Sequence, residues 1–402
     1  MKSDHDVIVI GSGPAGSSLA RVLAKEGKDV LIIEKRKQIG VPVRCGEGLG
    51  ARELLKQNLT LPKGIYSTEI LGAKVVAPNG QQIIWKDEET KGYMLERKAF
   101  DQWLCELAIK EGAKLKVLMR ATDLIMKNGK IQGLKVIYRE QEEFELTAPL
   151  IISAEGMEAQ IAKKAGFNTV HSPYDVDTCY QYEMMEYSHE NLIELYFGAK
   201  IAPRGYVWIF PKENKKINLG LGIGGNILNG KKLGGMQGSD PKILLDDFIS
   251  KNKELKNASI MNEFGGVISV GAPIDKFVTD NFMVIGTASK QVDPIHGGGI
   301  ALAMESGLMA AKIILDAKGK YSKENLEGYE KIWKEGPGKK VAKRLMLRKV
   351  MEKLNDDDLN YIFKAICDKE LNQVMKGNFA VSVAKVLAGR PQLLKILSVL
   401  TS

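Results

Sequence analysis

The sequence is poor in cysteine and contains no long uninterrupted apolar run. Its four cysteines lie far apart and form no C-x-x-C pair. We therefore expect a reduced chain with no disulfide framework, no structural zinc site and no other bound metal. No apolar run reaches the roughly 18–20 residues that a membrane span requires, and the first strand begins too early for a signal peptide to precede it. These absences favour a cytoplasmic protein.

Basic residues are in excess, 58 against 49 acidic ones, for a net charge of +9 over 402 residues. A chain of this length can bury the core of two or three domains. Nine basic and two acidic residues lie between Lys331 and Lys353, where the spacing of apolar residues predicts an amphipathic helix. Such a helix suits an anionic membrane surface, although a solvated helix face is the simpler interpretation. No DNA-binding motif accompanies it, so we expect no nucleic-acid partner.

The first 34 residues predict a βαβ unit that binds a dinucleotide. A buried strand over residues 7–10 leads into Gly11-x-Gly13-x-x-Gly16, a helix, and a second strand that ends at Glu34. Glycines at these positions let the backbone approach a pyrophosphate at the helix N-terminus. Glu34 can accept hydrogen bonds from ribose hydroxyls. Because this carboxylate would also repel a 2′-phosphate, we do not expect NADP at this site.

A second glycine-rich region favours FAD over NAD. Gly286-Thr287 follows the apolar strand of residues 282–285, and Gly297-Gly298-Gly299 comes directly before a helix that starts at Ile300. A second helix N-terminus in the same domain can stabilise negative charge on a reduced flavin. An NAD dehydrogenase has no need of this late element.

The middle of the chain is rich in short strands. Strand patterns occupy residues 191–197, 206–210 and 217–223, and Asp240-Pro241 is typical of a helix N-terminus. From about residue 321 the chain is mostly helical. We predict a discontinuous FAD-binding domain over 1–65, 95–165 and 272–335, a β-sheet substrate domain over 66–94 and 166–271, and a C-terminal helical region over 336–402.

Four motifs resemble those of the geranylgeranyl reductase family, which lies within the p-hydroxybenzoate-hydroxylase-like FAD superfamily. In chain order they are Pro42-x-Arg44-Cys45-Gly46-Glu47-Gly48, Tyr93–Asp101 with Arg97, Tyr206-x-Trp208-x-Phe210-Pro211 followed by Gly220-x-Gly222, and Asp293-Pro294-x-x-Gly297-Gly298-Gly299-Ile300. The resemblance implies an α/β fold, α+β overall, with a Rossmann-type FAD domain, a β-rich substrate domain and a helical C-terminal region. The archaeal lipid branch is the most similar because of the basic tail with Gly389-Arg390-Pro391.

The resemblance also implies where cofactor and substrate bind. Cys45 and His296 are the candidate catalytic residues, although a cysteine is often a small buried hydrophobe and this histidine can be a polar group near a helix N-terminus. Tyr206, Trp208 and Phe210 share one strand face and form either a prenyl-binding wall or a stripe of sheet core. Lys340, in the basic segment, is the candidate for the lipid headgroup. The expected FAD-binding residues are Gly11, Gly13, Ala15, Gly16, Glu34, Arg44, Cys45, Gly46, Gly48, Arg97, Ala121, Gly286, Thr287, Gly298, Gly299 and Ile300.

Two positions depart from the superfamily pattern. Thr287 stands where an aspartate usually binds the ribityl chain, and Glu155-Gly156 stands where Asp-Gly is usual. A threonine hydroxyl still hydrogen-bonds a ribityl hydroxyl. Losing a charged acceptor is expected to weaken FAD binding by about 1.5–3 kcal/mol.

The activity implied is reduction of isolated C=C bonds in the geranylgeranyl chains of a digeranylgeranylglycerophospholipid at the inner face of the membrane. Such an alkene has no carbonyl to polarise, so catalysis depends on proximity, alignment and exclusion of water. The sequence does not distinguish between NADPH and a ferredoxin-like carrier as the electron donor. Two alternatives remain: a flavin monooxygenase or halogenase of the same superfamily, and a prenyl-lipid binding protein without flavin.

Overall fold

The computed structural model describes residues 4–224 and 240–365. The described chain divides into two compact units, each built from separate stretches of sequence. The first unit comprises Met1–Val43, Glu96–His171 and Ser269–Ala342, and the second comprises Arg44–Leu95, Ser172–Ile268 and the described residues from Lys343 onward. The three-part domain division predicted above stays a prediction, and the tail motif at Gly389 lies outside the described residues.

The strands and helices are numbered in chain order. The strands are β1 Val7–Ile10, β2 Val30–Ile33, β3 Gly48–Gly50, β4 Tyr66–Ile70, β5 Gly72–Val76, β6 Gln82–Lys86, β7 Gly92–Leu95, β8 Lys114–Lys116, β9 Met119–Lys127, β10 Lys130–Tyr138, β11 Glu142–Thr147, β12 Leu150–Ser153, β13 Val176–Met185, β14 Leu192–Tyr196, β15 Tyr206–Lys212, β16 Lys216–Gly224, β17 Ser259–Ser269, β18 Val278–Thr279 and β19 Phe282–Val284. The helices are α1 Pro14–Lys25, α2 Ala51–Leu55, α3 Arg97–Lys110, α4 Gln160–Lys164, α5 Pro241–Lys251, α6 Lys253–Asn257, α7 Ile300–Asp316, α8 Lys323–Leu326, α9 Gly328–Glu335, α10 Pro337–Met351 and α11 Asp356–Ala365.

The first unit contains a six-stranded sheet in the order β18-β19-β12-β1-β2-β8. Its pairs are parallel except for β18 with β19. Every residue of β1, β2 and β12 is buried, as expected of parallel strands that are covered on both faces. The predicted βαβ unit is therefore present as β1-α1-β2, and it places the Gly11–Gly16 loop at the carboxyl end of β1.

An antiparallel sheet of β11, β10 and β9 completes the β structure of this unit. A turn at Asn128-Gly129, a dipeptide typical of β-hairpins, joins β9 to β10, and both residues have positive φ. Two left-handed residues in succession are typical of the tight turns that match the twist of a β-hairpin.

The second unit is organised around a seven-stranded sheet in the order β17-β13-β16-β15-β14-β5-β6. One face carries Val207, Ile209, Leu219 and Leu221, which belong to a buried cluster with residues of α5 and α6. The helix α5 begins as predicted, since the Asp240 carboxylate accepts a hydrogen bond from Lys242 N at 2.7 Å and Pro241 is the first helical residue. The opposite face carries Tyr206, Trp208 and Phe210, because side chains alternate along a strand.

The basic segment between residues 331 and 353 is helical but is divided at Gly336 into α9 and α10. Val341 and Val350 are buried, as the apolar spacing predicts. Arg348 is buried too, with only 6% of its surface exposed, because it pairs with Asp177 at 2.6 Å and with Glu352 at 2.7 Å. Its charge therefore joins this helix to β13 instead of adding to the exposed basic surface.

Among the described residues, no helix has the length and apolar character that crossing a membrane requires.

Candidate functional site

The Gly11–Gly16 loop makes a tight turn that only glycine permits at its two ends. Gly11 has a φ of +106°, and a Cβ there would lie 2.4 Å from Ala154 O. A Cβ at Gly16 would lie 2.1 Å from Gly11 O. At Gly13, by contrast, a Cβ would meet nothing within 4 Å, and Gly13 caps α1 without a side-chain hydrogen bond. The space beside Gly13 is therefore open, and a helix N-terminus such as that of α1 can bind a pyrophosphate.

Glu34 is fixed beside this loop. Its Oε2 accepts hydrogen bonds from Ser12 Oγ at 2.9 Å and Ser12 N at 3.3 Å, and its Oε1 accepts one from Arg36 N at 2.9 Å. A carboxylate has about four lone-pair sites, so Glu34 keeps acceptor capacity for ribose hydroxyls beside these three hydrogen bonds. The chemistry of this loop and its acid thus fits the adenosine part of a dinucleotide.

Arg97, the first residue of α3, is bound by a neighbouring carboxylate. Its Nη2 donates to both oxygens of Asp101, at 2.9 and 2.8 Å. Burial raises the pKa of the Asp101 carboxyl, and the Arg97 charge opposes that rise. This pairing was not anticipated, although the four-residue spacing of the two charges on a helix is a recognisable signal.

The late glycine-rich segment lies against the first one within the same unit. Gly286 has a φ of +65°, and a Cβ there would lie 2.8 Å from the Cβ of Ala15. A Cβ at Gly299 would lie 3.5 Å from Thr287 Oγ1. Ile300 then begins α7, whose cap Gly299 makes no side-chain hydrogen bond. Two uncapped helix N-termini and the Thr287 hydroxyl are therefore parts of one cradle, which we call the glycine cradle: Gly11–Gly16, Glu34, Gly286–Thr287 and Gly298–Ile300.

His296 is part of the loop that leads into α7. Its Nε2 lies 3.2 Å from the buried Asp293 carboxylate, and its Nδ1 accepts a hydrogen bond from Gly298 N at 3.1 Å. The side chain is 54% exposed. These contacts give His296 a role in shaping the loop, and whether it also transfers protons stays a prediction.

Two other predicted site residues of the first unit lie on a strand and on a helix. Ala121 is on β9, opposite Val136, and packs partly buried against the core. Lys340 is exposed on α10.

Glu155 has a structural explanation. Its carboxylate accepts hydrogen bonds from Ile161 N and Ala162 N at 3.0 Å each, and from Ser153 Oγ at 2.7 Å. It thereby caps the first turn of α4. The carboxylate of the longer Glu155 side chain is therefore engaged in hydrogen bonds with backbone N–H groups.

In the second unit, the residues Arg44–Gly48 form a segment that we call the Cys45 loop. The carbonyl oxygen of Cys45 accepts hydrogen bonds from Gln181 Nε2 at 3.0 Å and from Asn218 Nδ2 at 3.3 Å. The Glu47 N–H donates to Cys45 Sγ at 3.2 Å. Arg44 and Gly48 are exposed, while Glu47 is buried. Two buried amides of β13 and β16 therefore hold the loop at Cys45, and neither was predicted as a site residue.

Trp208 lies flat on the glycines of β16. It faces Gly220 across the strand pair, and a Cβ at Gly220 would lie 2.2 Å from Trp208 Cζ2. The indole Nε1 donates to Asn218 Oδ1 at 2.9 Å. A Cβ at Gly46 would lie 3.0 Å from Phe210 Cε2. This packing explains why the aromatic motif and the later G-x-G occur together, and it joins both to the Cys45 loop.

The three aromatic residues belong to a longer row of rings. Consecutive centroid distances are 6.1 Å from Phe210 to Trp208, 6.0 Å to Tyr206, 5.8 Å to Phe197 and 6.4 Å to Phe363 of α11. Tyr206, Phe210 and Phe197 are each partly exposed. The row is a continuous series of neighbouring rings that starts at the Cys45 loop, and its members Trp208 and Phe363 are buried.

The cysteines of the described residues differ sharply in environment. Cys45 is partly exposed, whereas Cys105 and Cys179 are buried. Burial raises the pKa of the Cys105 thiol to about 11 and that of Cys179 higher still. Only the thiolate form is nucleophilic, so both buried thiols are inert at neutral pH.

The doubly covered parallel sheet and its glycine cradle define a dinucleotide-binding fold. The sequence matches the FAD binding domain family over residues 4–190 and the geranylgeranyl reductase catalytic domain over residues 175–268. A relative from Methanococcoides burtonii, named digeranylgeranylglycerophospholipid reductase 2, is 38% identical over 375 residues, 92% of this chain and 89% of the relative. Another, from Methanosarcina acetivorans and named digeranylgeranylglycerophospholipid reductase, is 38% identical over 90% of this chain and 88% of its own length. This chain belongs to the family of digeranylgeranylglycerophospholipid reductases.

The solved structures agree. A geranylgeranyl bacteriochlorophyll reductase-like protein from Thermoplasma acidophilum superposes with a TM-score of 0.88 at 32% identity, covering 98% of this chain and 99% of that protein. The flavin-dependent brominase Bmp2, at 20% identity and a TM-score of 0.71 over 96% of this chain and 94% of its own, shares the fold alone. The fold class, the family and FAD as cofactor are thus confirmed. When bound in its reduced form, FAD supplies a hydride.

Proposed function

We propose that this chain hydrogenates isolated C=C bonds of geranylgeranyl chains in a digeranylgeranylglycerophospholipid. The observation that carries the proposal is the packing of Trp208 on Gly220 beside the Cys45 loop. It unites two motifs of the family in one apolar wall. The matched reductase catalytic domain, residues 175–268, contains this wall.

We assign FAD binding to the residues predicted from the sequence. The uncapped N-terminus of α1 binds the pyrophosphate, Glu34 the ribose, and the Thr287 hydroxyl the ribityl chain. The uncapped N-terminus of α7 favours negative charge on the reduced flavin. The full set comprises Gly11, Gly13, Ala15, Gly16, Glu34, Arg44, Cys45, Gly46, Gly48, Arg97, Ala121, Gly286, Thr287, Gly298, Gly299 and Ile300.

The row of rings from Phe210 to Phe363 suits an extended prenyl chain. Such a chain has no polar atoms, so its affinity comes from burial, at about 0.8 kcal/mol for each buried CH₂. Because the alkene offers nothing to polarise, the residues around it contribute alignment and exclusion of water. Tyr206, Trp208 and Phe210 lie at the end of this row where the reacting double bond binds.

Reduction of an alkene requires a proton in addition to a hydride. We propose Cys45 and His296 as the residues that take part in this proton supply. The Glu47 N–H at 3.2 Å orients the Cys45 thiol, and the Asp293 carboxylate at 3.2 Å orients the His296 ring.

We assign binding of the lipid headgroup and of the membrane surface to α10. Its exposed residues include Lys339, Lys340, Lys343 and Arg344, and each basic residue near an anionic bilayer contributes about 1 kcal/mol. We propose peripheral association with the inner face of the cell membrane. The electron donor is NADPH or a ferredoxin-like carrier.

Mass spectrometry of the lipid tests this function. The FAD-loaded protein, reduced and kept under anaerobic conditions, should add two hydrogens for each C=C bond of digeranylgeranylglycerophospholipid. A fully saturated lipid and the protein stripped of FAD are the controls. An unchanged lipid mass with loaded, reduced protein would contradict the proposal. Oxygen-dependent consumption of NADPH with oxygenation or halogenation of a substrate would support the monooxygenase or halogenase alternative instead.

A further inference from the structure

Glu47 and Lys212 form a buried ion pair that no step of the reaction described above requires. Lys212 Nζ lies 2.9 Å from Glu47 Oε2, and the two side chains are 4% and 6% exposed. Lys212 is the last residue of β15 and follows the Tyr206–Pro211 motif directly, while Glu47 belongs to the Cys45 loop. The pair therefore connects the strand that carries the aromatic wall with the loop that carries the thiol.

The backbone at Glu47 is unusual. Its φ is +71°, in the left-handed region that residues with a Cβ seldom adopt. In this conformation the Glu47 N–H donates to Cys45 Sγ at 3.2 Å, and the Glu47 carbonyl accepts from Leu95 N at 2.9 Å. The position of the thiol thus depends on a strained residue, and strain of this kind persists only where the surroundings over-determine it.

Stability alone does not account for the pair. Taking two charges out of water costs about as much as their attraction returns, so a well-packed apolar pair would serve the fold equally well. A charged pair with a fixed geometry instead determines where the two groups lie. The carboxylate of Glu47 can meet the Lys212 ammonium, at the end of β15, only while the Cys45 loop keeps its conformation.

We propose that Lys212, through its ion pair with Glu47, is a positioning residue that sets the place of the Cys45 thiol. The proposal rests on the proposed role of Cys45 in the reduction. It assigns Lys212 and Glu47 no contact with substrate or flavin.

The test compares two single variants with the neutral double variant. Lys212→Met and Glu47→Gln each remove one charge of the buried pair and should lower the thermal midpoint, whereas Glu47→Gln/Lys212→Met should recover much of it. We expect the double variant to keep a low kcat, reduced by about tenfold or more because small displacements of reacting groups are costly. Its KM for the lipid and its FAD content should be close to those of the wild type. Lys212→Arg should restore most of the kcat, since Arg also pairs with a carboxylate.

Alkylation of Cys45 in the native protein, followed by peptide mass spectrometry, supplies a readout that is independent of turnover. The rate should differ several-fold between the wild type and the double variant and return toward wild type in Lys212→Arg. The control is Lys74→Met, which breaks the Lys74–Glu194 pair of 3.0 Å on β5 and β14 and should leave the rate unchanged.

Two results would overturn the proposal. One is a double variant that regains kcat and alkylation rate together with its stability, because the pair would then be structural only. The other is a Cys45→Ser protein with wild-type kcat in which Lys212→Met still loses activity. A wild-type protein that reduces no lipid would instead contradict the proposed function, and the alkylation rates would still test the positioning.

Discussion

The indole N–H of Trp208 donates to the side-chain oxygen of Asn218, 2.9 Å away, on a sheet face where both residues are almost fully buried. The same amide donates through Nδ2 to the carbonyl of Cys45. A single side chain thus connects the aromatic wall with the loop that bears the thiol.

Replacing Trp208 by Phe keeps an aromatic ring but leaves Asn218 Oδ1 without its donor. An unpaired buried acceptor costs about 1–3 kcal/mol, so we expect a lower denaturation midpoint and a raised KM for the lipid. FAD affinity should not change. Trp85→Phe, on β6, is the matched control. Equal losses of FAD and lipid affinity in Trp208→Phe would show that the residue serves the fold as a whole.

Replacing Gly220 by Ala places a methyl group 2.2 Å from Trp208 Cζ2. The ring must move off the sheet, and overpacking of this kind costs about 1–3 kcal/mol. We predict a large loss of lipid turnover at normal FAD content, measured on the purified holoprotein. Gly50→Ala is the control, since a Cβ at Gly50 meets only Glu53 Cγ, at 4.0 Å. Full activity of Gly220→Ala would argue against the proposed binding of the prenyl chain by the aromatic residues of β15.

Thiol labelling should distinguish the cysteines of the described residues. At pH 7 iodoacetamide should modify Cys45 in the native protein, while Cys105 stays unmodified. The pKa of Cys105, raised by burial to about 11, leaves few thiolates at neutral pH, and that fraction grows only as the pH rises toward 11. Cys179 should be equally unreactive because its pKa is raised further. Peptide mass spectrometry of native and urea-unfolded samples measures this, and rapid native labelling of Cys105 would contradict the burial.

Thr287→Asp restores the carboxylate that the superfamily usually has. It should tighten FAD binding by about 1.5–3 kcal/mol, the value of a charged hydrogen bond, or roughly ten- to a hundredfold in Kd. Thr287→Asn is the uncharged control, and fluorescence titration of the apoprotein gives both affinities. Unchanged or weaker binding in the Asp variant would mean that the cradle compensates for the missing charge by another route.

Neutralising the exposed basic residues of α10 should weaken binding to anionic vesicles. We expect Lys339, Lys340, Lys343 and Arg344, all changed to Gln, to reduce sedimentation with the vesicles and to raise the KM for phospholipid. The attraction is screened beyond about 8 Å at physiological salt, so high salt should have the same effect on the wild type. The control changes Lys251, Lys253, Lys256 and Lys276 to Gln.

If the α10 variant still sediments like the wild type but slows flavin reduction by an acidic carrier protein, the basic surface binds the electron donor. Arg348 is left intact in this experiment because its ion pairs with Asp177 and Glu352 are internal.

Local sequence patterns predict the parts of this molecule that depend on neighbours in the chain. The Gly11–Gly16 loop, the Asp240 cap and the Asn128-Gly129 turn follow from backbone geometry and capping, and all are present. The aromatic stripe of β15 follows from side-chain alternation.

The contacts that depend on distant segments could not be predicted in this way. In the sequence, Arg348 is one more basic residue of an amphipathic helix. In the structure it is buried and pairs with Asp177, 171 residues away. Asn218 and Lys212 are ordinary polar residues in a strand pattern, and their partners lie in a loop that is more than 160 residues earlier. A helical or strand period specifies which face a residue occupies but not which distant group meets it.

The central claim, that this protein reduces isolated alkenes in a geranylgeranyl lipid, is tested most directly by anaerobic reoxidation of the reduced holoprotein. Mixing with digeranylgeranylglycerophospholipid should restore the absorbance of oxidised flavin, and the lipid should gain two hydrogens for each flavin reoxidised. The fully saturated lipid should leave the flavin reduced. Flavin that stays reduced with the unsaturated lipid, and becomes oxidised only when oxygen is admitted, would contradict the account.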